Sequence, residues 1–290
     1  MSNLAQRLIT GSIFVAVLVG CICWGVWSMV GLCLIITVLG LNEFYNLAVK
    51  AKAEPQKLFG IFVGAATVII IFIHAGLHFP TLLICLIPLI SMIFFIELFR
   101  KKENPFANIS WTIAGLIYIA LPMGMIIWNF VPYQYLAPLV DEEIFPRPYE
   151  FQKLLMLFIL IWVSDSMAYV CGRLFGKHKL WERISPKKTW EGFIGGLIFT
   201  VLTAGFVAHW CFADTHTYHS EIKWCVIGFV ISVTGMLGDM VESLFKRSID
   251  VKDSGTILPG HGGILDRFDA LFLSVPFAIT TYWILGTILH

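Results

Sequence analysis

The chain has 290 residues, 58% of them hydrophobic and 13% charged, with a mean hydropathy of +0.82 and a formal net charge of +1. Soluble domains carry about 25% charged residues, so this composition excludes an ordinary soluble enzyme and implies an integral membrane protein. With 20 Lys+Arg against 19 Asp+Glu there is no overall basic field, which argues against nucleic acid as a partner and requires any anionic partner to be recruited by local charge.

A bilayer core about 30 Å thick is crossed by about 20 apolar residues in a helix, and the chain divides on that rule. Residues 1–7 are polar with one Arg. The apolar run behind them is too long for a signal-peptide core and has no small-residue cleavage site, so it is expected to remain as an anchor. Residues 8–41 carry no charge and are too long for one straight span, so a break is expected near residues 25–28. Further spans are expected at residues 59–77, 81–99, 109–131, 154–175, 193–210, 224–242 and 268–289, nine in all.

Alternating these spans from a cytoplasmic N-terminus gathers the Lys- and Arg-rich connections on the inner side and leaves Arg147, Lys153 and Lys223 outside, as the positive-inside rule requires. The seven cysteines are scattered without a CxxC pair, which fits small buried apolar residues rather than staples or a zinc site. The expected architecture is an all-α integral membrane protein of about nine transmembrane helices. It forms a single domain over residues 1–290, scaffold-like in residues 1–150 and working in residues 151–290, where nearly every span end carries ionisable groups beside glycine.

Charge inside such a chain points to chemistry, because ionisable groups at membrane depth are costly. Asp239, Glu242, Ser243 and Lys246 are three or four positions apart, so one helix face carries them all. That face suits a cation and a phosphate together; the bland alternative is a Glu242–Lys246 helix pair with Asp239 facing water. The connection that follows, residues 250–269, contains Lys252, Pro259, Gly260, His261, Gly262, Gly263, Asp266, Arg267 and Asp269. Four glycines and a proline between residues 255 and 263 exclude a regular helix there, and exposed N–H groups in such a loop suit an anion-binding nest.

Asp266 and Asp269, joined by Asp239, offer the hard oxygen ligands that Mg²⁺ prefers. The alternative is that Asp266 caps the last helix and Asp269 complements its dipole. A second cluster holds Asp165, Tyr169 and Arg173 at helical spacing, then Ser185, Pro186, Lys187, Lys188 and Thr189. The lysines are compact cations able to hold phosphates, although every inner loop needs some positive charge.

Ser243-Leu-Phe-Lys246-Arg247, Lys252-Asp253, Leu258-Pro-Gly-His261-Gly262-Gly263 and Asp266-Arg267-Phe-Asp269 together resemble the signature of the phosphatidate cytidylyltransferase family. Ser185-Pro-Lys-Lys-Thr189 and Gly238-Asp239-x-x-Glu242-Ser243 are similar to further motifs of that family. The resemblance implies Mg²⁺-dependent transfer of the cytidylyl group of CTP to phosphatidic acid, giving CDP-diacylglycerol and pyrophosphate. It also implies a homodimer whose polar cavity opens to the cytosol and to the lipid bilayer, and the build suits a bacterial inner membrane.

On that footing Asp239, Asp266 and Asp269 are expected to hold the metal, and Lys246 and Arg247 to neutralise the leaving pyrophosphate or the lipid phosphate. His261, Gly262, Gly263, Lys252, Arg267 and Ser243 are expected around phosphate. Ser185, Lys187, Lys188 and Thr189 are expected to hold the triphosphate from the other side, with Asp165, Tyr169 and Arg173 lining the same cavity. Three rival classes remain. A transporter would use Asp165, Asp239 and Glu242 as an ion path; a CDP-alcohol phosphotransferase would show a DG…AR…G…D…D pattern that does not occur here; a passive scaffold would tolerate replacement of the loop charges.

Overall fold

The computed structural model describes residues 3–132, 135–136, 149–211, 219–255 and 262–288. Eight helices in it are long and apolar enough to cross a membrane, and Ile9–Trp24 is a shorter apolar helix. The expected nine spans thus become eight candidates and this shorter helix. In chain order the helices are α1 (Asn3–Trp24), α2 (Val26–Lys50), α3 (Lys57–Leu77), α4 (Thr81–Ile84), α5 (Leu86–Arg100), α6 (Pro105–Gly115), α7 (Leu121–Phe130), α8 (Phe151–Phe175), α9 (Trp190–Cys211), α10 (His219–Ser248) and α11 (Leu265–Ile288). A hairpin of β1 (Lys179–Trp181) and β2 (Ser185–Thr189) lies between α8 and α9, an element the all-helical expectation did not contain.

Local chemistry sets the breaks. Gly25 separates α1 from α2 at φ 155 and ψ −178, a conformation essentially confined to glycine. Ser28 mends the junction, its Oγ reaching Cys21 O at 2.7 Å and Gly25 O at 2.9 Å. Proline explains two further irregularities, since it lacks an N–H and its ring crowds the carbonyl four residues earlier. Pro88 acts on Ile84, where α4 ends, and Pro122 acts on Tyr118, inside the π-helical turn Leu116–Ala120 between α6 and α7. α4 with α5, and α6 with α7, still read as single spans, Thr81–Arg100 and Pro105–Phe130.

The chain forms two compact units. The first is Met1–Gln152 with Ser248–Arg267. In it α2 packs on α3, and α3 on α7. Tyr45 is fully buried, and its hydroxyl donates to Thr112 O at 2.9 Å. Glu97, also buried, accepts from Gln56 Nε2 at 2.8 Å, Asn108 Nδ2 at 2.8 Å and Arg100 Nη1 at 2.6 Å. A buried charge persists only when hydrogen-bonded and paired in this way; here the set ties α5, α6 and the α2–α3 connection together.

The second unit is Lys153–Arg247 with Phe268–His290. Its helices approach through small residues, which lets backbones come close where hydrocarbon offers no hydrophobic drive. A Cβ on Gly196 of α9 would stand 2.8 Å from Ser164 O of α8, one on Gly228 of α10 would stand 2.9 Å from Ala204 Cβ of α9, and one on Gly238 of α10 would stand 2.6 Å from Asp269 O of α11. Ser164 and Ser232 add an Oγ–Oγ hydrogen bond of 3.0 Å between α8 and α10.

Overpacking of this kind costs about 1–3 kcal/mol. Gly196→Leu is therefore expected to lower the Tm of the detergent-purified protein. Gly20→Ala, at a position with nothing within 4 Å of the added Cβ, is expected to leave the Tm unchanged or raise it.

Candidate active site

In the second unit, α10 presents Asp239, Glu242, Ser243 and Lys246 in successive turns, and α11 brings Asp269 to the same place. One carboxylate oxygen from each of Asp239, Glu242 and Asp269 lies within 4.8 Å of the others. Three acids this close repel unless cations stand among them. Two do: Lys188 Nζ lies 2.5 Å from Asp239 Oδ2, and Lys246 Nζ lies 2.7 Å from Glu242 Oε2. Ser243 Oγ donates to Asp239 Oδ1 at 3.3 Å, and Asp269 Oδ1 accepts the N–H of Ala270 at 2.6 Å. Asp165 of α8 is within electrostatic reach of Asp239 and Lys188, and Asp269 within reach of Asp165 and Lys246.

The hairpin places Lys188 for local reasons. Thr189 ends β2 and caps α9, its Oγ1 accepting the Gly192 N–H at 3.2 Å, in the manner preferred for Ser, Thr, Asp and Asn at helix starts. Glu191, in the first turn of α9, accepts the N–H groups of Lys177 at 3.1 Å and His178 at 3.2 Å, and its Oε1 lies 2.5 Å from His178 Nδ1. These bonds close the hairpin against the helix that follows. Ser185 and Lys187 sit on the same short strand, half-buried and exposed respectively. At the exposed end of α8, Arg173 Nη1 donates to the Tyr169 hydroxyl at 3.3 Å. Arg247 is exposed.

The remaining sequence-derived candidates belong to the first unit. Lys252 and Arg267 are exposed. Asp266 is the second residue of α11, and its Oδ2 accepts the N–H groups of Ser254 at 3.0 Å and Gly263 at 2.8 Å; these bonds tie residues ahead of the helix to its first turn, whereas an N-cap oxygen would accept N–H groups further along the helix. Gly262 has φ 83, the left-handed region that favours glycine. His261 lies outside the described residues. The sequence groups Asp239 and Asp269 with Asp266 as metal ligands; among the described residues a group of three acids is formed by Asp239, Glu242 and Asp269, and the sequence places Glu242 on the helix face and in a family motif but not as a ligand.

The trio fits a hard divalent cation. All three donors are carboxylate oxygens, the kind Mg²⁺ prefers, and Glu242 is fully buried, where uncompensated negative charge is costly. Positive charge beside them, from Lys188 and Lys246, suits an anionic substrate.

A sequence model described as the cytidylyltransferase family matches residues 5–285. Proteins named phosphatidate cytidylyltransferase are similar to this chain: that of Staphylococcus epidermidis is 49% identical over 123 residues, that of Staphylococcus haemolyticus 50% over 125, and that of Staphylococcus aureus 48% over 125. Each alignment takes in 42% of this chain and 46% of the relative, so the chain spans about half the length of the curated relatives it matches. The family match runs from the first helix to the last, and on that ground the chain belongs to the cytidylyltransferase family.

Proposed function

We propose that this protein transfers the cytidylyl group of CTP to phosphatidic acid, giving CDP-diacylglycerol and pyrophosphate. The observation that carries this reading is the convergence of Asp239, Glu242 and Asp269 with Lys188 and Lys246 in a member of the cytidylyltransferase family. The name of these staphylococcal relatives supports the choice of phosphatidate as acceptor.

In the reaction a phosphatidate oxygen bonds to the α-phosphorus of CTP, and the bond from that phosphorus to the bridging oxygen breaks. The electron pair departs with pyrophosphate. No general base is required, since the phosphatidate phosphate is already anionic near neutral pH. The protein's task is alignment and offsetting of charge. Lys188 and Lys246 turn from their carboxylate partners toward phosphate oxygens as the substrates arrive. Lys187, Arg247, Lys252 and Arg267, all exposed, draw the two anionic substrates to the membrane surface. Asp239, Glu242 and Asp269 would hold Mg²⁺, which would supply positive charge beside the phosphates. The family resemblance extends the proposal to a homodimer in a bacterial inner membrane, and the grouping of cationic connections on one side supports a cytoplasmic N-terminus.

The direct test supplies purified full-length protein in lipid with labelled CTP, phosphatidic acid and Mg²⁺. CDP-diacylglycerol and pyrophosphate are expected in equal amounts; ion flux across liposomes without CTP consumption would overturn the reading in favour of transport. In the same assay Asp269→Asn and Glu242→Gln are each expected to reduce kcat by about 10²-fold or more, the scale on which losing one preorganised electrostatic element acts, while membrane insertion persists. Lys188→Met is expected to raise the KM for CTP about tenfold, equivalent to about 1.4 kcal/mol of binding. An unchanged KM would remove Lys188 from the triphosphate.

A further inference from the structure

We infer that Glu43, on α2, is a positioning residue that holds Ser254 and Leu265, the residues flanking the signature glycines, to one carboxylate; its effect on catalysis rests on the function proposed above, whereas its effect on these flanking residues does not. Glu43 is 2% exposed. Its Oε2 accepts the N–H of Leu265, the first residue of α11, at 2.9 Å, and the hydroxyl of Ser254 at 3.2 Å. Its Oε1 is buried without a hydrogen-bond partner among the described residues, and no Lys or Arg pairs with Glu43 among them.

A carboxylate held this way draws its compensation from the N-terminal end of α11, where unpaired N–H groups and the helix dipole favour negative charge. A well-packed apolar residue would serve stability as well or better than a buried ion. The placement of the acid instead matches a task, because its two partners lie on either side of residues 256–261.

Asp266 works beside it. Ser254 is held twice, its N–H by Asp266 Oδ2 at 3.0 Å and its hydroxyl by Glu43, while the Gly263 N–H also goes to Asp266. Two carboxylates thus engage four donors on Ser254, Gly263 and Leu265. The glycines there make room for those carboxylates. A Cβ on Gly255 would lie 2.6 Å from the Glu43 carboxyl carbon, one on Gly263 would lie 2.7 Å from the same atom, and one on Gly262 would lie 2.7 Å from Asp266 Oδ2. The Gly263 N–H, which the glycine pattern alone offers to an anion-binding nest, is directed at a protein carboxylate, as are those of Ser254 and Leu265. Position 43 therefore governs how Asp266 and the neighbouring backbone are presented.

The test uses full-length protein in lipid and three readouts: amide hydrogen exchange of residues 262–265, the CTP kinetics, and Tm. Glu43→Gln keeps the side-chain volume but removes the negative charge that strengthens both hydrogen bonds accepted by Oε2. It is expected to speed exchange at Leu265 and Gly263 and to raise the KM for CTP, each about tenfold, with amides of α3 and the Tm nearly unchanged. Ser254→Ala, which removes only the hydroxyl bond, is expected to act in the same direction more weakly. The double variant is expected to be no worse than Glu43→Gln, since both act through one network. Unchanged exchange in both single variants would overturn the assignment of Glu43 to these flanking residues. Faster exchange with unchanged KM, or a fallen Tm with unchanged KM, would overturn the positioning role and leave a purely structural one. Absence of CTP turnover by the unaltered protein would count against the proposed reaction alone, because the exchange readout still decides whether Glu43 holds the flanking residues.

Discussion

Negative charge embedded among apolar helices is the constraint on which the rest of this structure depends. A carboxylate removed from water needs cations or N–H donors close at hand, and the buried acids described here meet that need in different ways. Glu97 collects an amide from Gln56, an amide from Asn108 and the Arg100 guanidinium. Glu43 leans on a helix N-terminus and a serine hydroxyl. Glu242 shares its surroundings with Lys246 and with two more acids. The first arrangement is saturated with donors and reads as a structural tie. The last concentrates acids faster than its two lysines offset them, which is the condition under which a divalent cation is accepted.

Close helix packing makes that concentration possible. Gly238, one residue before Asp239, sits so near Asp269 O that a Cβ there would stand 2.6 Å from it, and the two aspartates reach one another because the helices carrying them touch at a glycine. On the other side the cap of α9 by Thr189 and the bonds of Glu191 fix the end of β2, which delivers Lys188 to Asp239. The small residues and the hairpin therefore serve the site as much as the fold.

Much of this was legible from residue order alone. The break at Gly25 and the helices that follow obey hydrocarbon thickness and glycine chemistry, and the i, i+3, i+4 spacing from Asp239 to Lys246 put one face in view. Other features were not legible. A two-stranded hairpin of a few residues leaves no periodicity to detect, and Pro-Lys-Lys-Thr reads equally as a loop. Glu242 was visible as half of a helix pair, but its grouping with Asp269 depends on how α10 meets α11. Glu43 and Glu97 stand in residues 1–150, the half of the chain whose composition reads as scaffold. The available signal was a lone acid just after a long charge-free run, which at membrane depth calls for a stated partner. That partner, 222 positions away at Leu265, could not be read from sequence.

The central claim is that Asp239, Glu242 and Asp269 act as one cation-binding unit. Titrating the purified protein with Mn²⁺, a paramagnetic stand-in for Mg²⁺, while following free ion by electron paramagnetic resonance tests it without relying on turnover. One site that is weakened at least about tenfold by Asp239→Asn, and likewise by Glu242→Gln, is the result this account predicts, each substitution removing about 1.4 kcal/mol or more of binding. Mn²⁺ binding indifferent to both substitutions would contradict it.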